Sequence, residues 1–195
     1  MQAIQPIDPK PMTEADYLAY DDAQELKHEY VRGYVYAMSG GSLRHSIIIA
    51  NTITQLNNRI GRDDCTVTSS DIRVHIAAKQ SYRYPDVTVF YGDANFVEGR
   101  ADTMTNPVVL VEVLSPSTAL LDRNDKLKEY TQLPSLQAYL LISQNEAHVE
   151  RFMRHDADQW LYQSITGLHR AVANPALDCT LPLKDLYNRV QWDDA

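Results

Sequence analysis

The chain has 195 residues, 44% of them hydrophobic, which is long enough for one well-buried core and short for two. A formal net charge of −8 opposes general attraction to nucleic acid, so any such contact has to be local. The two cysteines, Cys65 and Cys179, are far apart and exclude a disulfide framework or a zinc knuckle, and no apolar run is long enough to span a membrane.

The first residues lack a basic segment followed by an apolar one, so a soluble, cytoplasmic protein with no membrane partner is expected. Residues 1–11 carry three prolines and no periodic pattern, and read as an extended lead-in to a single domain over 12–195. Thr13 is a candidate N-cap, with Glu14 and Asp16 in the first turn of a short helix to about Tyr20. Residues 28–38 read as two strands joined tightly at Arg32-Gly33. Alternation there directs either Glu29 toward the core, as a third inward acid, or Tyr30 toward it with Glu29 solvated. After a break at Gly40-Gly41-Ser42, Ile49, Ile53, Leu56 and Ile60 recur at helical spacing, so an amphipathic helix ends at Gly61. His45 lies on its apolar face near the start, as a packed hydrogen-bonded residue or as a functional group.

Residues 70–76 alternate with Ile72, Val74 and Ile76 inward, and are expected to form an antiparallel hairpin with the strand that carries Asp86. The polar stretch 92–106 reads as a surface connection with room for a helical turn. The hydroxyls of Ser115, Ser117 and Thr118 are candidate caps for a helix over 119–132, on which Asp122, Lys126 and Tyr130 share one side. Residues 139–142 suggest a third central strand, 148–153 and 159–164 a meander, and 181–187 a short C-terminal helix.

The anomaly lies in two apolar β-type segments, 84–90 and 107–114, which carry the acids Asp86 and Glu112. Strands of this composition are buried on both faces, where an unpaired carboxylate costs several kcal/mol. Asp86 shares a face with Thr88 and Phe90, and Glu112 with Leu110 and Leu114, so the acids meet if the strands are neighbours. Two nearby carboxylates in an apolar setting need a shared proton or a cation. The alternative is a solvated Asp86 at a strand end and a Glu112 paired with an arginine.

Tyr84-Pro85-Asp86, then Glu112 on the following strand, then a lysine nearby is the pattern of the restriction-endonuclease-like PD-(D/E)XK nuclease superfamily. From Met12 to Tyr187 the chain further resembles the Uma-type family of bacterial endonucleases within it. The resemblance is carried by His28-Glu29-Tyr30-Val31-Arg32-Gly33, Arg44-His45, Ser70-Asp71-Ile72-Arg73-Val74, the segment around Asp86, Glu112-Val113-Leu114-Ser115-Pro116, and Asp122 with Lys126 and Tyr130. One departure is that the superfamily's lysine belongs two residues after the acid, where this chain has Leu114. Lys126, on the next helix, is the natural replacement; Lys128 points about 160° further round that helix. The other reading of Lys126 is a surface i,i+4 pair with Asp122.

The resemblance implies an α/β, restriction-endonuclease-like core: a central mixed β-sheet flanked by helices, with additional N-terminal and C-terminal antiparallel strands. It implies Asp86 and Glu112 as ligands of Mg²⁺, with Mn²⁺ able to substitute, and the Val113 carbonyl as a further ligand. Lys126, Glu29 and His45 are the implied catalytic residues: Lys126 to orient or deprotonate the nucleophile, Glu29 to act through water or a second metal, His45 to contact a phosphate or tune Glu29. DNA is the implied substrate, in local contact, and a homodimer the implied assembly. Two other functions stay open: an inactive nucleic-acid-binding or structural protein that keeps the fold, and a hydrolase of another phosphate ester.

Overall fold

The computed structural model describes residues 5–38 and 40–192. Helix α1 (Glu14–Asp22) starts in a capping box, in which Thr13 Oγ1 accepts from the Asp16 amide and the Asp16 side chain answers the Thr13 amide. Strands β1 (His28–Val31) and β2 (Tyr34–Ala37) form the expected hairpin. Its two-residue turn has Arg32 at φ 48° and Gly33 at φ 97°, the left-handed pair that matches strand twist. Burial covers both faces of β1: Tyr30 packs with Tyr17, Val35 and Tyr82, while Glu29 points the other way, among charged groups. Glu29 is thus buried as an inward acid, and the alternative of an inward Tyr30 with a solvated Glu29 holds only for Tyr30.

Helix α2 (Leu43–Arg59) buries Ile48, Thr52 and Leu56, with Ile49, Ile53 and Ile60 half-buried at the edge of the same core. The strands that follow depart from expectation. β3 (Cys65–Ser69) precedes β4 (Arg73–Ile76), and β4 pairs with a three-residue strand β5 (Ser81–Arg83) rather than with the strand after Asp86. Between β5 and β6 (Val87–Tyr91) the chain leaves one sheet and enters another. Pro85, which has no amide hydrogen, sits at that break. The stretch 92–106 holds no helical turn but a short strand β7 (Thr103–Met104), parallel to β4.

Strand β8 (Val109–Leu114) is buried at every residue. It pairs antiparallel with β6, with Thr88 opposite Leu110, and parallel with β9 (Ala138–Ser143). β10 (His148–Arg154) and β11 (Trp160–Thr166) add the meander, giving the order β11-β10-β9-β8-β6-β3. A second sheet runs β2-β1-β5-β4-β7, and β12 (Ala171–Asn174) with β13 (Cys179–Pro182) makes an unforeseen hairpin ahead of α5 (Leu183–Leu186). Val87, Val89, Val109, Val111 and Val113 pack on α2. The opposite face, with Leu110, Leu114, Tyr139 and Leu141, packs on the helical segment after β8.

That segment runs from α3 (Ala119–Leu121) through a π-helical stretch, Asp122–Lys126, into α4 (Leu127–Tyr130). The wider π turn, a form that recurs at functional sites, carries both Asp122 and Lys126 inward. Among the described residues no helix is long and apolar enough to cross a membrane.

Candidate active site

The register of β6 and β8 matches Val87 to Val111, so one step further sets Asp86 across from Glu112. The two acids share a face of the central sheet, and both line one cavity of about 870 Å³. Asp86 is buried, not solvated: its Oδ2 accepts from the Val113 amide at 2.7 Å and lies 3.3 Å from His45 Nε2. Glu112 is 4% exposed. Its partner is a lysine: Oε1 receives Lys126 Nζ at 2.9 Å and the Tyr130 hydroxyl at 2.8 Å.

Lys126, 5% exposed, is a hub. Beyond Glu112 its ammonium lies 3.2 Å from Glu29 Oε1 and 3.3 Å from Asp122 Oδ1. The i,i+4 pair with Asp122 exists, but it is buried in the cavity wall rather than on the surface. Burial alone would push this ammonium down, yet the carboxylates of Glu112, Glu29 and Asp122 outweigh it and hold Lys126 well above its ordinary range. Lys128, half a helical turn away, lines the same cavity without joining this cluster.

Glu29 reaches the site because β1 and β5 are hydrogen-bonded neighbours. Arg83 Nη1 donates to Glu29 Oε2 at 2.7 Å, and the Tyr84 amide donates to Oε1 at 3.3 Å. Burial would raise this carboxyl, but Lys126 and Arg83 bring it down to about 2. Arg83 also forks onto Glu129, through Nε at 2.8 Å and Nη2 at 2.9 Å. Arg83 and Glu129 were not legible as site residues. The one available signal was the position of Glu129, three residues after Lys126 on the same helical face.

His45 stands in the first turn of α2, whose N-cap Ser42 Oγ accepts from the His45 amide at 3.2 Å. A Cβ at Gly41 would lie 2.5 Å from His45 Nδ1, so glycine there lets the imidazole lie against the loop. Burial pushes the imidazole down, but the hydrogen bond and charge of Asp86, with the Val113 backbone, push it up. His45 touches Asp86, and among the described residues it forms no hydrogen bond or ion pair with Glu29.

The charges do not balance. Five carboxylates, from Glu29, Asp86, Glu112, Asp122 and Glu129, face Lys126, Arg83 and His45. The deficit falls on Glu112 and Asp122. Burial pushes the Glu112 carboxyl well up, and the charges of Asp122, Asp86 and Glu29 add to this against Lys126. Asp122 is raised too, again chiefly by burial. Glu112 Oε2 and Asp86 Oδ1 have no hydrogen-bond partner among the described residues. An all-oxygen set with free lone pairs and excess negative charge fits a hard divalent cation. Among the described residues no three His, Cys, Asp or Glu side chains converge on one point. The fit is therefore to an ion that keeps most of its water, as Mg²⁺ does.

Residues 14–184 match the family Uma2, described as "Putative restriction endonuclease". The uncharacterized protein slr1290 of Synechocystis sp. (strain ATCC 27184 / PCC 6803 / Kazusa) is 36% identical over 162 residues, 83% of this chain and 84% of that protein. From the same organism, the uncharacterized protein sll1609 is 35% identical over 158 residues, covering 81% and 89%. Among solved structures, that of a "putative nuclease belonging to DUF820" from Anabaena variabilis ATCC 29413 superposes with a TM-score of 0.76 at 18% identity. The match covers 93% of this chain and 100% of that one, and supports the restriction-endonuclease-like fold. The chain belongs to the Uma2 family.

Proposed function

We propose that this chain is a divalent-metal-dependent endonuclease that hydrolyses phosphodiester bonds in DNA. The observation that carries the reading is the pair Asp86 and Glu112, set across adjacent central strands with one unengaged oxygen each and a shortage of positive charge around them. Mg²⁺ or Mn²⁺, held by Asp86, Glu112 and, by family resemblance, the Val113 carbonyl, would neutralise phosphate charge and lower the pKa of the attacking water.

The side chains divide the remaining work. Lys126, kept protonated by Glu29, Asp122 and Glu112, donates hydrogen bonds and stabilises charge on the phosphate in the transition state. In that state it orients the nucleophile rather than accepting its proton. Glu29 fixes the ammonium in place, and Arg83 fixes Glu29. Tyr130 holds Glu112 to one orientation, and His45 does the same for Asp86 while facing the cavity. Duplex DNA has two strands to cut, and a two-fold homodimer would present one site to each.

The test is nicking and cutting of plasmid DNA with Mg²⁺, with Mn²⁺ and with EDTA. Metal-dependent conversion to nicked or linear forms is expected. No conversion with either metal would leave the fold without this activity. Light scattering should give the mass of a pair, and a single-chain mass at micromolar concentration would contradict the dimer.

A further inference from the structure

Most of the cations near this site are spoken for, but three are not. Arg32, Lys79 and Lys128 line the cavity and make no ion pair among the described residues. They come from three separate elements: the β1–β2 turn, the turn after β4, and α4. Arg32 and Lys128 are exposed and Lys79 half-buried, so they stand above the buried cluster of Glu29, Glu112 and Lys126.

Arg32 is also held at a cost. In a turn of this kind the first central position has φ above zero and favours Asn, Asp or Gly. Arg32 sits there at 48°, where a Cβ-bearing residue costs about 1–2 kcal/mol. Its amide donates to Gln80 O at 3.0 Å, and Gln80, the residue after Lys79, is itself at φ 48°. Two strained turns are thus tied edge to edge, and both present cations at the cavity mouth. Strain of this sort collects where a side chain is needed in a particular place.

We propose that Arg32, Lys79 and Lys128 form a cationic rim that takes the phosphate backbone of duplex DNA on either side of the bond held over Glu112 and Lys126. The proposal rests on the nuclease reading and gives it a docking surface. It resolves the conflict with a net charge of −8: the attraction is confined to three groups around one opening. Phosphate contacts of this kind position a duplex without reading its sequence.

The experiment compares the parent with a triple variant, Arg32→Asn, Lys79→Gln and Lys128→Gln. Anisotropy of a short labelled duplex is measured across salt concentrations, in EDTA and in Mg²⁺. Three lost phosphate contacts should make the slope of log K against log salt shallower by about 2.7, with affinity lower by about 10-fold or more. Asn in the Arg32 turn should leave thermal stability equal or higher. Hydrolysis of bis(p-nitrophenyl) phosphate, a diester with no flanking phosphates for the rim to hold, should fall far less than cleavage of the duplex. A control variant that neutralises Lys10, Arg170 and Lys184, exposed cations that do not line the cavity, should keep the parent slope. Equal slopes for parent and rim variant, or an equal loss in the control, would overturn the rim. Rim-dependent binding without hydrolysis of either substrate would support the rim and remove the nuclease reading. Diester hydrolysis with rim-independent DNA binding would do the reverse.

Discussion

Two charged networks lie on either side of Tyr84, and they are built to opposite ends. On one side Arg73 and Arg100 meet Asp21, Asp22 and Asp102, with Tyr84 Oη donating to Asp21 at 2.7 Å and receiving Arg73 Nε at 2.9 Å. There the acids are satisfied: Arg100 hydrogen-bonds hold Asp22 below its ordinary value and bring Asp102 to about 2. On the other side Glu29 is equally satisfied, but Glu112 and Asp122 are pushed up for want of positive charge. Only the second network opens on the cavity. Both contain buried arginines and several carboxylates, so a count of ion pairs would not separate them. The direction of the acid shifts does: the network that ties α1, β4 and β7 together lowers Asp22 and Asp102, and the one that opens on the cavity leaves Glu112 and Asp122 raised.

The sharpest way to break this contrast is Glu112→Gln. Cleavage should fall on the order of 10³-fold, as an acid ligand is lost. The sign of the stability change is the more telling result. A carboxyl raised in the folded state binds its proton more tightly there than when unfolded, so it loses stability as pH rises above its unfolded value. The metal-free variant should therefore melt at or above the parent temperature at neutral pH. A large loss of metal-free stability would make Glu112 a structural acid like Asp21.

In the other network the expectation is reversed. Arg73→Gln leaves Asp21 buried without its cation, and should cost about 3 kcal/mol in chemical denaturation while the folded fraction keeps its cleavage rate. Lys126→Ala comes next: cleavage should drop about 10²-fold with metal binding largely intact. A rate equal to the parent would remove Lys126 from the reaction. The smallest effect is on pH. The lowered acids Asp22 and Asp102 contribute stability that is present above their ordinary carboxylate range and is lost as pH falls below it, through about 2 for Asp102, whereas Glu112 contributes nothing to such a loss. Acid unfolding of Asp102→Asn should be correspondingly flatter than that of the parent.

Much of the site could be read from local pattern, because its acids sit in segments whose period is unambiguous. Asp86 and Glu112 stood out as lone charges in apolar strands, and Lys126 stood four residues from both Asp122 and Tyr130 on a helix. The fold around them was less legible where the chain changes sheets. The segment 84–90 reads as one strand paired with 70–76, and nothing in its alternation shows that Arg83, just before it, belongs to the β1 sheet while Val87 belongs to the β8 sheet. That break is what carries Arg83 onto Glu29 and Glu129, so the missed strand boundary and the missed residues are one error. The β12–β13 hairpin and the π turn were hidden for a related reason: four-residue strands and a single widened turn leave too little sequence to set a period.

The measurement that bears most directly on the central claim is calorimetric titration of Mg²⁺ and Mn²⁺ into the metal-free parent and into Glu112→Gln. The parent should bind, Glu112→Gln should bind far more weakly, and the loss should track plasmid cleavage across the two proteins. Undiminished binding by Glu112→Gln would place the ion elsewhere and contradict the assignment of Asp86 and Glu112 as its ligands.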